Sequence, residues 1–217
     1  MIKIQNMSFQ GIIDASLNYG RSSLYQEIHN FSHSFEFGKS YLIHDSVSHA
    51  GWALSWILGG AEQPQTGDIL MNGEVYTQPL RRHHSWLIRH DEIKRLGFFR
   101  MSIKDQIQRG LRRSNPDHLS LEKLKQMFRL TPQRLTRDIN RISSEAWRAS
   151  CAIGLAHGKR VFCFPHLGHI RPTLIAEYRH LWFEEHIHHL RNFGCLILIP
   201  ATVTDNSIAI ADEIVNL

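Results

Sequence analysis

Cysteine is scarce in this chain. Only Cys151, Cys163 and Cys195 occur in 217 residues, and no two form a CxxC pair. That spacing argues against metal and redox roles. Two of the three fall in apolar runs, "RVFCF" and "GCLILI", where a thiol serves as a small buried hydrophobe. Long apolar runs are missing too, so no segment reaches the roughly 20 residues that a membrane span needs. The opening "MIKIQNMSFQ" alternates like a strand and lacks the apolar centre of a signal peptide, which predicts a cytoplasmic chain. Repeats and low-complexity tracts are absent. The stretch "YLIHDSVSHAGWALSWILGG", residues 41 to 60, reads as strand, loop and helix, yet its loop holds no glycine-rich run and no lysine.

What is present is ordinary in amount. The chain is 42% apolar and 21% charged, the balance of a soluble globular protein, and long enough for one domain with an inserted lobe. Its formal net charge of +5 is unevenly placed. Residues 94 to 148 carry an excess of about nine positive charges, and the remainder is mildly acidic. A basic stretch of that kind suits nucleic acid or anionic lipid headgroups; the simpler reading is a solvated helical surface.

Element signals follow in a clear order. "IKIQNMSF" and "SLYQEIHNFSHSFEF" read as strands, and "SYLIH" as a short apolar strand. "AGWALSWIL" reads as a helix stopped by Gly59 and Gly60. "DILMNGEVY" predicts a hairpin through Asn72-Gly73. From about Arg95 the periodicity is helical. Ser102 and Asp105 have capping-box spacing, Leu recurs at helical spacing in "LSLEKLKQMFRL", and Thr131-Pro132 reads as a cap and first-turn proline. "SSEAWRASCAIGLAHG" is a further helix. "RVFCF", "LIAEYRHLWFEEHIHHLRNF" and "GCLILIP" read as strand, helix, strand, which predicts a parallel α/β sheet.

Taken together, "FEFGKSYLI", "WILGGAEQPQTGDILMNGEVY", "MSIKDQIQRGL" and "IAIADEIVNL" resemble the framework stretches of the nucleotide-binding domain of ABC transporters, over essentially the whole chain. The resemblance implies a P-loop NTPase-like (RecA-like) parallel-sheet core, an N-terminal antiparallel β subdomain and an inserted α-helical subdomain. It implies one domain over 1–217, with the core at about 1–92 and 150–217 and the helical part at about 93–149. The functional motifs of the family are degenerate. In the Walker A position the glycines fall on His44, Val47 and His49, Ala50 replaces the lysine, and Gly51 and Trp52 replace the hydroxyl pair. A phosphate loop needs glycines for close backbone approach, a lysine for phosphate charge and a hydroxyl for Mg²⁺. Val47 at a positive φ would be an outlier. The Q-loop glutamine corresponds to His90 or a neighbour in "LIRHDE". The signature corresponds to "ISSEAWR", with Ser143, Ser144 and Glu145. Walker B ends in Pro165-His166 in place of two acids, and Pro200, Ala201 and Thr202 stand where the switch histidine belongs. The adenine-stacking aromatic corresponds to Tyr19 or Tyr25.

Phosphoryl transfer rests on positioning and charge stabilisation, so loss of lysine, Mg²⁺ ligand and base together predicts no catalytic residues and no cofactor, with ATP and Mg²⁺ bound only if the altered loop still holds nucleotide. The resemblance implies a scaffold or regulatory partner of a membrane permease, with another ATPase subunit or a second copy as a further partner, peripheral at the inner face of the cell membrane. Phe98 and Phe99 in "LGFFRMS" and His90 are the docking candidates. An ATP-binding transporter subunit and a basic nucleic-acid-binding module are the alternatives; no base-reading motif supports the latter, so no nucleic acid is expected. Trp52 would fill nucleotide volume. "HLWFEEHIHHL" offers histidines and carboxylates at helical spacing, but it is not HExxH, and an exposed polar helix face is the expected reading, with no metal.

Overall fold

The structure, a computed structural model, describes residues 1–14, 23–44, 50–92, 95–96, 99–114, 118–141, 146–165, 182–201 and 210–217. Two units divide the chain: one of Met1–Leu87 with Arg160–Leu217, the other Ile88–Lys159.

Alternating burial builds the first sheet. Ile2 and Ile4 face inward, then Met7 and Phe9. The odd step between the pairs is a bulge in strand β1 (Ile2–Asp14), where Asn6 takes φ 49°. β1 pairs antiparallel with β2 (Ser23–Phe35), which is followed by β3 (Ser40–His44) and helix α1 (Ala50–Leu58). β4 (Thr66–Met71) and β5 (Glu74–Val75) form the expected hairpin, with positive φ at Asn72 and Gly73, and complete the order β2-β1-β4-β5. Next come α2 (Gln78–His84) and the short strand β6 (Ser85–Leu87), neither of which the sequence pattern signalled.

In the helical unit lie β7 (Arg95–Leu96), β8 (Phe99–Arg100), α3 (Ile103–Ser114), α4 (Leu121–Met127), α5 (Pro132–Leu135), a 3₁₀ turn at Ile139–Arg141 and α6 (Ala146–Ala156). Ser102 caps α3 as expected: its hydroxyl accepts from the Asp105 backbone N–H at 3.1 Å and donates to the Asp105 carboxylate at 2.6 Å. Ser120 caps α4 by accepting from the Lys123 N–H. Thr131 precedes the first-turn Pro132 as expected, but its side chain makes no cap bond. The Ser114 hydroxyl donates to the Ala156 carbonyl at 2.6 Å and fastens α3 to α6.

The chain returns to the first unit with β9 (Val161–Cys163), α7 (Trp182–Asn192), β10 (Leu196–Ala201) and β11 (Glu213–Asn216). The expected long helix from Leu174 is described only from Trp182 onward. The second sheet runs β11-β3-β10-β9-β6, and every pair in it is parallel. β3, β9 and β10 are buried almost throughout, as an all-parallel sheet requires. All three cysteines are buried and outside any disulfide; burial pushes the Cys195 thiol up to about 12, which suits a packing role. Asp212 anchors the sheet edge, accepting from the Ser40 N–H and hydroxyl and pairing with Arg191 at 2.6 Å. No helix among the described residues is long and apolar enough to cross a membrane.

α1 ends as the sequence predicts. The Gly60 N–H donates to the Ile57 carbonyl and the Ala61 N–H to the Trp56 carbonyl, a Schellman closure with Gly60 at φ 73°. The Ser85 hydroxyl takes the Leu58 carbonyl at 2.8 Å. A Cβ on residue 60 would stand 2.5 Å from the Arg82 nitrogen. Gly60→Ala is therefore expected to lower stability by about 2 kcal/mol or more, measured as a reduced urea midpoint.

Candidate functional site

In open parallel sheets, ligands sit outside the carboxyl ends of the strands, where the strand order reverses. In this sheet that edge is formed by His44 on β3, Pro165 just after β9, and Pro200 and Ala201 on β10. β3 lies between β10 and β11, and α1 leaves from it. The edge is therefore the place to look for chemistry.

The first turn of α1 is packed rather than open. Ala50, Gly51 and Trp52 are all buried, with Trp52 3% exposed. At Gly51 a Cβ would lie 3.1 Å from Ile43 Cγ2, 3.2 Å from the Ile43 carbonyl oxygen and 3.2 Å from Pro200 Cβ. Glycine is needed here for closeness, not for an unusual φ. The helix is also tied from the side by a residue the sequence pattern did not signal. Gln26, fully buried on β2, accepts from the Ala53 N–H through its Oε1 at 2.9 Å. Its Nε2 has no hydrogen-bond partner among the described residues. The neighbouring Tyr25 points the other way: it is 54% exposed, sits opposite Ile12, and its hydroxyl accepts from Gln10 Nε2.

Two charged residues of the "LIRHDE" segment, Arg89 and Glu92, are buried along with Leu87 and Ile88, while His90 is exposed and pairs with Asp91 at 3.0 Å. The Arg89 N–H donates to Glu92 Oε1 at 2.9 Å and to Ser150 Oγ at 3.1 Å. Burial pushes the Glu92 carboxyl above its usual range, with the Arg89 charge and the Ser150 contact opposing. Of the other candidates, Tyr19, Val47, His49, Phe98, Ser143, Ser144, Glu145 and His166 lie outside the described residues. Phe99 is placed on β8, and Pro165 is buried.

α7 corrects one expectation. Glu184 and His188 face solvent, but His186 is only 4% exposed, so the helix is not polar on its surface alone. His189 reaches Glu185 at 3.7 Å. Among the described residues no group of three His, Cys, Asp or Glu side chains is arranged to hold a metal.

This architecture has many solved counterparts. A putative ABC-transporter ATP-binding protein from Pyrococcus furiosus superposes at TM-score 0.68, with 12% identity, covering 100% of this chain and 96% of the other. An ATP-binding cassette solved as a dimer in a post-hydrolysis state bound to ADP and Pi matches at TM-score 0.68 and 13% identity, covering 100% and 94%. The fold is that of ABC-transporter ATP-binding domains. A third such structure, cbiO1 of Clostridium perfringens, described as part of the ABC transporter complex cbiONQ, matches at TM-score 0.67 and 12% identity, covering 99% and 83%. No family model and no curated protein sequence matches the chain.

ABC ATP-binding domains are built around Mg-ATP. The described residues of this edge do not fit that ligand. Ala50 brings no cation, Gly51 no hydroxyl, and Pro165 no carboxylate.

Three substitutions check this geometry. Gly51→Ser, which supplies the hydroxyl of a phosphate loop, is expected to cost about 1–3 kcal/mol of stability in urea unfolding, because the Ile43 backbone cannot move aside cheaply. Gln26→Ala is expected to cost about 1–2 kcal/mol in the same assay, by leaving the Ala53 N–H buried and without its side-chain acceptor. The Glu92 contribution to stability is complete below the ordinary carboxylate pKa, since the folded chain holds that proton to higher pH, and it is lost as pH rises through the raised pKa. Glu92→Gln is expected to flatten that fall in a series of urea midpoints taken from acid to neutral pH.

Proposed function

We propose that this chain is a non-hydrolytic subunit with the ABC ATP-binding fold, acting as a scaffold or regulatory partner of a membrane permease at the inner face of the membrane. The observation that carries this reading is the first turn of α1: Ala50, Gly51 and Trp52 are buried, and Gly51 lies against Ile43 and Pro200. The place where a phosphate loop would present a lysine and a hydroxyl presents neither. Pro165, in place of the Walker B acid, supports the same reading. A fold kept over the full length without that chemistry is most useful as a shape, for docking.

The partners follow from the same fold. Similar chains are dimers or parts of transporter complexes. The proposed partners here are a permease and either an intact ATPase subunit or a second copy. Phe98, Phe99 and His90 are the proposed contacts with the permease. Affinity purification from detergent-solubilised membranes tests this. A membrane partner is expected to copurify with or without ATP, and to be lost in the Phe98→Ala, Phe99→Ala double variant while thermal unfolding stays unchanged. Normal copurification of that variant would remove both phenylalanines from the interface. The absence of any membrane partner would overturn the reading.

A further inference from the structure

The segment from Ile88 to Glu92 combines three features that seldom coincide. Arg89 has φ 70°, a left-handed conformation that costs a side-chain-bearing residue about 1–2 kcal/mol. It is also buried, at 7% exposure, as is Glu92 at 5%. Its backbone N–H is shared by two acceptors from different places in the chain: Glu92, three residues on, and Ser150, sixty-one residues on in α6. The Arg89 guanidinium adds a bond from Nη1 to the Ile139 carbonyl at 3.3 Å. Yet Arg89 Nε and Glu92 Oε2 are buried with no hydrogen-bond partner among the described residues.

We infer that Arg89, Glu92 and Ser150 form a strained polar latch that joins the 88–92 turn to α6, so that the two open and close as one local unit. Strain persists only where surrounding contacts over-determine it, and here the two acceptors on one N–H supply that determination. The unsatisfied Nε and Oε2 atoms keep the closed state from being strongly favoured. Opening hydrates them and frees Arg89 to return to a negative φ. Between the two anchors stand His90 and Asp91, with His90 turned to solvent. The exposed tip is thereby tied to α6 through the Arg89 N–H and the Ser150 hydroxyl. The inference goes beyond the proposed function and does not depend on it.

Hydrogen exchange on the full-length chain, read by mass spectrometry, tests the latch. Glu92→Ala removes one acceptor. It is expected to speed exchange roughly tenfold or more, the scale of one buried hydrogen bond, in residues 88–92 and in α6 together. β3 and β10 are expected to keep their protection. Glu92→Gln, which retains an acceptor oxygen, is expected to restore most of the protection. Arg89→Gly keeps the N–H and relieves the backbone, so it is expected to exchange a few-fold more slowly at 88–92 than Arg89→Ala, which keeps the strain. Three results would each overturn the latch: separate responses of the two segments, an equal loss of protection throughout the chain, or identical behaviour of Arg89→Gly and Arg89→Ala.

Discussion

Helix α1 lies close against two strands at residue 51, which has no side chain. Gly51 approaches Ile43 on β3 and Pro200 on β10 so closely that a single added carbon would press on both strands. Much of the first unit depends on that approach. It brings Ala53 within reach of Gln26 on β2, which ties the antiparallel sheet to the helix. It lets Ala53, Leu54, Ile57 and Leu58 share one core with Ile2, Ile4 and Phe35 of the first sheet and Val161, Leu196 and Leu198 of the second.

Polar ties, some of them buried, do the rest of the positioning. Asp212 binds the head of β3 and the end of α7, and Arg81 holds the carbonyls of Tyr76 and Glu62 beneath α2. Within the helical unit, Arg89 and Glu92 do the same for the 88–92 turn. The buried ones, Arg81, Arg89 and Glu92, are costly to disturb, because breaking a buried hydrogen bond leaves a desolvation penalty behind. None of them resembles a reaction centre. Among the described residues, these polar ties sit at the ends of the elements they join.

Much of the fold was legible in the sequence, for identifiable reasons. The hairpin at Asn72-Gly73, the Gly60 stop and the Ser102 cap are local chemistry, and local chemistry is written in short stretches. The parallel pair of β9 and β10 showed as two apolar runs around a helix. β6 did not show, because a three-residue strand just after two histidines carries no period to read. Thr131 was expected as a cap and lacks the bond, since Pro132 alone sets the start of α5. Gln26 was illegible for a tertiary reason. Between Tyr25 and Glu27 it reads as surface, and only α1 lying over β2 makes it core. Arg89 and Glu92 were hidden similarly: the eye goes to His90, while the flanking charges are the ones that fold inward. His186 likewise lies in a polar run and is buried by its neighbours.

The most direct measurement is a calorimetric titration of the full-length chain with Mg-ATP up to millimolar nucleotide. No saturable heat is expected under the proposed function, because Ala50 and Gly51 stand where a phosphate loop has its lysine and hydroxyl. Saturable binding at an affinity relevant to cellular ATP would contradict it, and would show that residues 44–52 hold phosphate through a different arrangement of the chain.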